Sequence, residues 1–92
     1  MVKIMKDEST FSFIEERDWF LGELSLREIV IEERNETHYS NGLVTKHTNK
    51  YYIRLNSRRE VCSGQVSQNG VIREMSVQRC MDVMNSVDWS IY

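Results

Sequence analysis

Two asparagine-glycine dipeptides constrain this chain more than any other feature: Ser40-Asn41-Gly42 and Gln68-Asn69-Gly70. A two-residue type I′ hairpin turn needs positive φ at both central positions, which asparagine followed by glycine tolerates best. Each dipeptide therefore predicts two antiparallel strands. Residues 43–55 fit one, with Tyr51, Ile53 and Leu55 alternating against Tyr52 and Arg54. Residues 60–67 and 71–75 follow as two more, and Asn56-Ser57-Arg58-Arg59 is a weaker turn before them. Upstream, residues 24–33 (LSLREIVIEE) pair a Ser25/Glu28 capping box, which favours helix, with the β-branched run Ile29-Val30-Ile31, which favours strand. The first turn needs a partner for residues 43–55, and the strand reading supplies it.

The pattern changes after Met75. Ser76 is a natural N-cap, Met75 and Cys80 are spaced as a hydrophobic staple, and Val77, Cys80, Met81, Met84 and Val87 recur at the spacing of one buried stripe. A helix over residues 77–87 follows, lying across the sheet. Residues 11–21 stay open between two forms. Ser12 with Glu15 would cap a short helix over 13–21, whereas Phe11-Ser12-Phe13 alternates and could close on Trp19-Phe20-Leu21 as a hairpin. The expected fold class is α+β in a single domain, residues 1–92: an antiparallel meander of four or five strands over 24–75, with the C-terminal helix packed on one face.

At 92 residues, with 40 % hydrophobic and 28 % charged content, the chain can build one modest core and has no reason to stay disordered. It contains no proline, which excludes a polyproline ligand segment. Apolar runs stop at three residues, against the roughly 20 that span a bilayer, so no membrane partner is expected. The first residues lack the apolar core of a secretory signal. An intracellular address with reduced Cys62 and Cys80 is the resulting expectation.

The net charge of -2 hides an asymmetry. Residues 1–36 carry five lysines and arginines against ten acids, while 37–79 carry seven against two. The basic half peaks in KHTNKYYIRLNSRR, residues 46–59, whose mix of cations and tyrosines is the chemistry of a nucleic-acid surface: bases stack on rings while cations follow phosphates. Pairing offers another account. A two-residue turn at Asn41-Gly42 places Val30 opposite Ile53, Ile31 opposite Tyr52, Glu33 opposite Lys50, Glu36 opposite His47 and His38 opposite Thr45. Apolar then meets apolar, and acid meets cation. The pI of about 5.7 also sits far from that of a phosphate binder.

Other chemistries find little support. His38, His47, Cys62 and Cys80 have no zinc-knuckle spacing, so no metal and no cofactor are expected. No cysteine or serine carries the signature of an activated nucleophile, the acids form no distinct acid/base pair, and the four glycines do not cluster as a phosphate loop, so no catalytic residue is assigned. The expectation is a non-enzymatic module that docks on a larger protein and inhibits or modulates it. The small inhibitors that phages and mobile elements direct at host defence or host enzymes share this size and character. The contact set expected on this reading is Asp7, Glu8, Glu15, Glu16, Asp18 and Trp19, facing a basic groove of the kind that holds nucleic acid. The alternative is nucleic-acid binding through Lys46, Lys50, Tyr52, Arg54, Arg58 and Arg59. An open sheet edge, at 71–75 or in an N-terminal strand, would also allow a homodimer.

Overall fold

In the computed structural model, which describes residues 1–92, five strands pair in chain order as one antiparallel meander. They are β1 (Ile4–Leu21), β2 (Leu24–Tyr39), β3 (Val44–Leu55), β4 (Val61–Gln68) and β5 (Val71–Glu74), followed by helix α1 (Val77–Ser86) and a single 3-10 turn (Trp89–Ile91). No helix is long and apolar enough to cross a membrane.

The turns set everything downstream. Asn69 and Gly70 both have positive φ, 51° and 77°, and close β4 onto β5 as the type I′ pattern requires. The Asn41-Gly42 turn departs from that pattern, because only Gly42 is left-handed, at φ 87°. The Tyr39 amide donates to the Leu43 carbonyl at 2.9 Å and the Gly42 amide to the Tyr39 carbonyl at 3.0 Å, which makes a three-residue loop. Asn41 spends its side chain accepting from the Leu43 amide instead.

That one extra loop residue moves the β2–β3 register by one. Ile29 faces Ile53, Val30 faces Tyr52, Ile31 faces Tyr51, Glu32 faces Lys50, Glu33 faces Asn49, Asn35 faces His47, Glu36 faces Lys46 and His38 faces Val44. The register built on a two-residue turn is thus corrected throughout. A one-residue slip exchanges what each pair of facing residues shares, and here packing decides. The observed register gathers Ile29, Ile31, Tyr51, Ile53 and Leu55 on one face, whereas the alternative would have mixed them with Tyr52 and Arg54.

Residues 11–21 form neither a helix nor a hairpin of their own. They belong to an 18-residue strand that pairs along the whole of β2 and turns back at Gly22-Glu23, with Gly22 at φ 61°. A glycine in the first central position is the type II′ signature. The meander therefore starts at Ile4, not at Leu24. A bulge at Ile14 shifts the pairing from Phe13–Ile31 to Glu15–Val30. From Lys6 to Phe13, odd-numbered residues lie on the helix side of the sheet; after the bulge they lie on the other. Phe11 and Phe13 thereby join the core side, and Arg17 and Trp19 the opposite side.

Helix α1 begins where the sequence predicts, with the Ser76 hydroxyl accepting from the Arg79 amide, and ends at Ser86 with Val87 as its C-cap, one residue short of expectation. Its buried stripe is Cys80, Val83 and Val87 with Met84 partly covered, whereas Val77 and Met81 stand exposed. The stripe is rotated because Cys80 seats on Gly64: a Cβ at Gly64 would lie 2.3 Å from the Cys80 Sγ. The core is eight residues, Ile29, Ile31, Tyr51, Ile53, Leu55, Cys80, Val83 and Val87. At its margin the rings of Trp89 and Tyr92 pack on Phe13 at 5.5 and 5.4 Å, and the Phe13 amide at the bulge donates to the Tyr92 hydroxyl at 2.8 Å.

The molecule extends 57 × 30 × 20 Å. Because β4 pairs only with Asn49–Leu55 of β3, the far halves of β1, β2 and β3 continue as a three-stranded ribbon past the helix.

Gly64→Ala is expected to lower stability by about 1–3 kcal/mol in urea unfolding, since the overpacked methyl must displace Cys80. In a Cys80→Ala background the same change should cost markedly less; equal costs in both backgrounds would contradict the seating.

Candidate functional site

The face turned away from the helix is built around Glu28, whose side chain is only 3 % exposed. Its Oε1 accepts from Arg17 Nε at 2.7 Å and its Oε2 from Arg54 Nε at 3.1 Å. The Arg54 guanidinium lies 4.2 Å over the Trp19 ring, and that of Arg17 5.7 Å from the centre of the Tyr52 ring. These residues, with Gln65 and Ile72, line a shallow hollow of about 330 Å³. A buried carboxylate held by two cations is compensated and oriented, but both arginines are spent on it.

This answers the basic segment. Arg54 belongs to the Glu28 triad, Tyr52 lies beneath Arg17, Lys46 pairs with Glu36 at 3.4 Å, and Arg59 donates to Glu16 at 2.9 Å. Lys50 and Arg58 form no ion pair, and the register puts Lys50 opposite Glu32, which holds Arg34 instead. The six residues are not gathered into one free cationic surface.

The expected acidic contact set is also divided. Glu8, Glu15 and Trp19 face away from the helix, whereas Asp7, Glu16 and Asp18 face its side of the sheet. Most are engaged within the fold. Asp7 accepts from the Thr37 hydroxyl, Glu8 pairs with Lys6, Glu15 with Arg17, Asp18 with Arg27, and Glu16 with Arg59 and Arg27. The hydrogen bond from Arg59, then that from Arg27, holds the Glu16 carboxyl below the usual range, and Lys6 does the same to Glu8.

Near the ribbon tip, Glu8, Glu36 and His38 bring one ligand atom each within 4.8 Å of one another. The His38 Nε2 is shut off from solvent without a hydrogen bond, 3.8 Å from Glu36 and 4.0 Å from Glu8. Lys6 and Lys46 already neutralise the two carboxylates through their other oxygens. His47, expected opposite Glu36, faces Asn35 instead. Cys62 is exposed and Cys80 buried, and both are free thiols.

On the helix side, Glu33 continues the inward stripe of Ile29 and Ile31 and is 8 % exposed. Its Oε1 accepts from the Tyr51 hydroxyl at 2.7 Å and from Asn49 Nδ2 at 3.0 Å. Burial, and then the Glu33 carboxylate, push the Tyr51 phenol above its ordinary value. Sequence reasoning singled out neither Glu28 nor Glu33 as an anchor. The signal for Glu33 was present, an acid at the apolar parity of its strand. Arg17 carried none, because the Ile14 bulge decides which face it takes.

Comparison with protein-family models, with curated proteins and with solved structures found no match to this chain.

Glu28→Ala should cost about 3–5 kcal/mol in urea unfolding, because it strands Arg54 against Trp19 without its counter-charge. Arg17→Ala, half exposed, should cost under about 1 kcal/mol. Similar costs for both would contradict the triad. The Tyr51 phenol, raised in the folded state, contributes stability that is complete below the unfolded value of 10.0 and is lost as pH rises through the folded value. Alkaline titration of stability should therefore flatten in Tyr51→Phe, and an unchanged slope would contradict the raised phenol.

Proposed function

We propose that this chain is a non-enzymatic protein-binding module that docks on a larger partner and modulates it. The observation that supports the reading is the ribbon. Three strands, with no helix over either face there, leave two open edges: β1, and the part of β3 before Asn49 that β4 does not reach. Open edges offer unpaired amides and carbonyls to an added strand, and side chains at alternate positions supply specificity. Apolar side chains stand exposed at the tip, among them Ile4 at 58 %, Leu43 at 54 % and Val44 at 41 %. Of the expected acidic set, Asp7 lies on this ribbon without an ion pair and suits a basic partner, whereas Glu8 is paired with Lys6, and Glu15, Glu16 and Asp18 are held by arginines in the body of the sheet. Inhibition of a host enzyme or defence complex, as small phage-encoded proteins perform it, is the form of modulation this size and shape suit. Of the six residues expected for a nucleic-acid surface, Lys46, Arg54 and Arg59 are held in ion pairs, which leaves that reading Lys50 and Arg58 as its free cations.

Affinity capture from a nuclease-treated lysate, with the whole chain against a Leu43→Asp/Val44→Asp variant, tests the reading. One protein should be retained by the parent chain with or without nuclease and reduced at least tenfold by the variant. Retention only without nuclease, together with salt-dependent binding to oligonucleotides, would overturn it in favour of nucleic acid.

A further inference from the structure

Glu28 and Glu33 are both buried carboxylates, yet they are treated in opposite ways. Glu28 has two arginines, while Glu33 has no lysine or arginine within ion-pair distance and receives only neutral donors on Oε1. Burying a carboxylate without a counter-charge is costly, and an apolar residue would continue the Ile29 and Ile31 stripe more stably. Polar groups kept against the local rule concentrate at functional sites. Glu33 sits where the helix cover stops, in the wall of a hollow of about 460 Å³ that Asn49, Tyr51, Gln68, Glu74 and Arg79 also line. Its Oε2 has no hydrogen-bond partner and is not sealed from solvent.

We propose that this hollow is a receptor for one basic side chain, a lysine ammonium or arginine guanidinium, of a protein partner. Charge supports a cation: Glu33 and Glu74 outweigh Arg79. Arg79 does not neutralise Glu33, because its guanidinium contacts the Tyr51 hydroxyl at 3.4 Å and lies 5.8 Å from the ring centre. A metal ion is poorly served, since Glu33 belongs to no group of three converging ligand residues. Position favours a polypeptide as the source. Asn49 and Gln68 line the hollow and are also the last pair of the β3–β4 ladder, so the open edge of β3 starts at its rim. A strand added there would turn every second side chain to this face of the sheet, and the one nearest Asn49 would reach the hollow. The source of the cation rests on the protein-binding reading, but the hollow's preference for a cation does not.

Titrating the isotope-labelled full chain with N-acetyl-arginine amide, N-acetyl-leucine amide and a capped five-residue peptide with a central arginine tests this directly. The arginine probes should shift the Asn49, Tyr51, Gln68 and Arg79 amides saturably, the peptide binding tighter than the amino-acid amide. Leucine should bind at least tenfold more weakly, and Glu33→Gln should lower arginine affinity at least tenfold. Equal response to arginine and leucine, or undiminished binding in Glu33→Gln, overturns the proposal. Equal affinity of peptide and single amide overturns the polypeptide source. If Glu33→Gln does not fold, Arg79→Gln should strengthen and Glu74→Gln weaken arginine binding; a change in the same direction, or none, overturns it. A ribbon that captures a protein while the hollow ignores arginine refutes this assignment alone.

Discussion

A ten-residue helix about 15 Å long cannot cover strands of 16 and 18 residues, which run for more than about 50 Å. Everything else in the molecule answers to that mismatch. Where the helix lies, the sheet is covered at Gly64 by Cys80, and Cys80 and Val83 are fully buried. Beyond it the strands have only their backbone ladder and cross-strand side chains to hold them: Ser9 with Asn35, Asp7 with Thr37, and Lys46 with Glu36. Such pairs stabilise by a few tenths of a kcal/mol each, enough to fix a register but not to make a second core. Form and proposed use coincide here, because the part without a core is the part with open edges.

The uncovered face of the body solves the same problem differently. It buries Glu28 between two arginines and lays aromatic rings against them, so Val30 and Glu28 are shielded without a second layer of secondary structure. A buried ion triad adds little net stability over well-packed apolar residues, but it penalises any slip that would separate its members. In a sheet whose register depends on one loop residue at Gly42, that penalty has a use. Glu33, on the other face and at the limit of the helix, lacks any such compensation.

Much of the architecture was legible in the sequence. The meander after Leu24, the two hairpins, the Ser76 cap and the C-terminal helix all follow from local chemistry that tertiary contacts did not override. Three features did not follow. The Asn41-Gly42 loop has three residues because Asn41 uses its side chain on the Leu43 amide, a choice open to any asparagine and invisible to a pattern. Helix packing turned on Gly64, whose missing side chain matters only once Cys80 is above it. The long N-terminal strand was hidden by a bulge, which breaks the alternation that reveals strands, so Arg17 and Trp19 could not be assigned to the face of Glu28. The charge asymmetry was real, but it paired internally: acids of β1 and β2 hold the arginines of β2, β3 and the turn after it.

The sheet divides into a body locked by its core and a ribbon held only by pairing. Amide hydrogen exchange resolved by residue measures that division most directly. Amides that bond across β2–β3 near Ile29, Ile31, Tyr51 and Ile53 should exchange only through global unfolding. Those of the same strands near Asn35, Thr37, Thr45 and His47 should open locally, at free energies well below the global value. Uniform protection along β2 from Ile29 to Thr37 would contradict it, because the ribbon would then be part of the cooperative core.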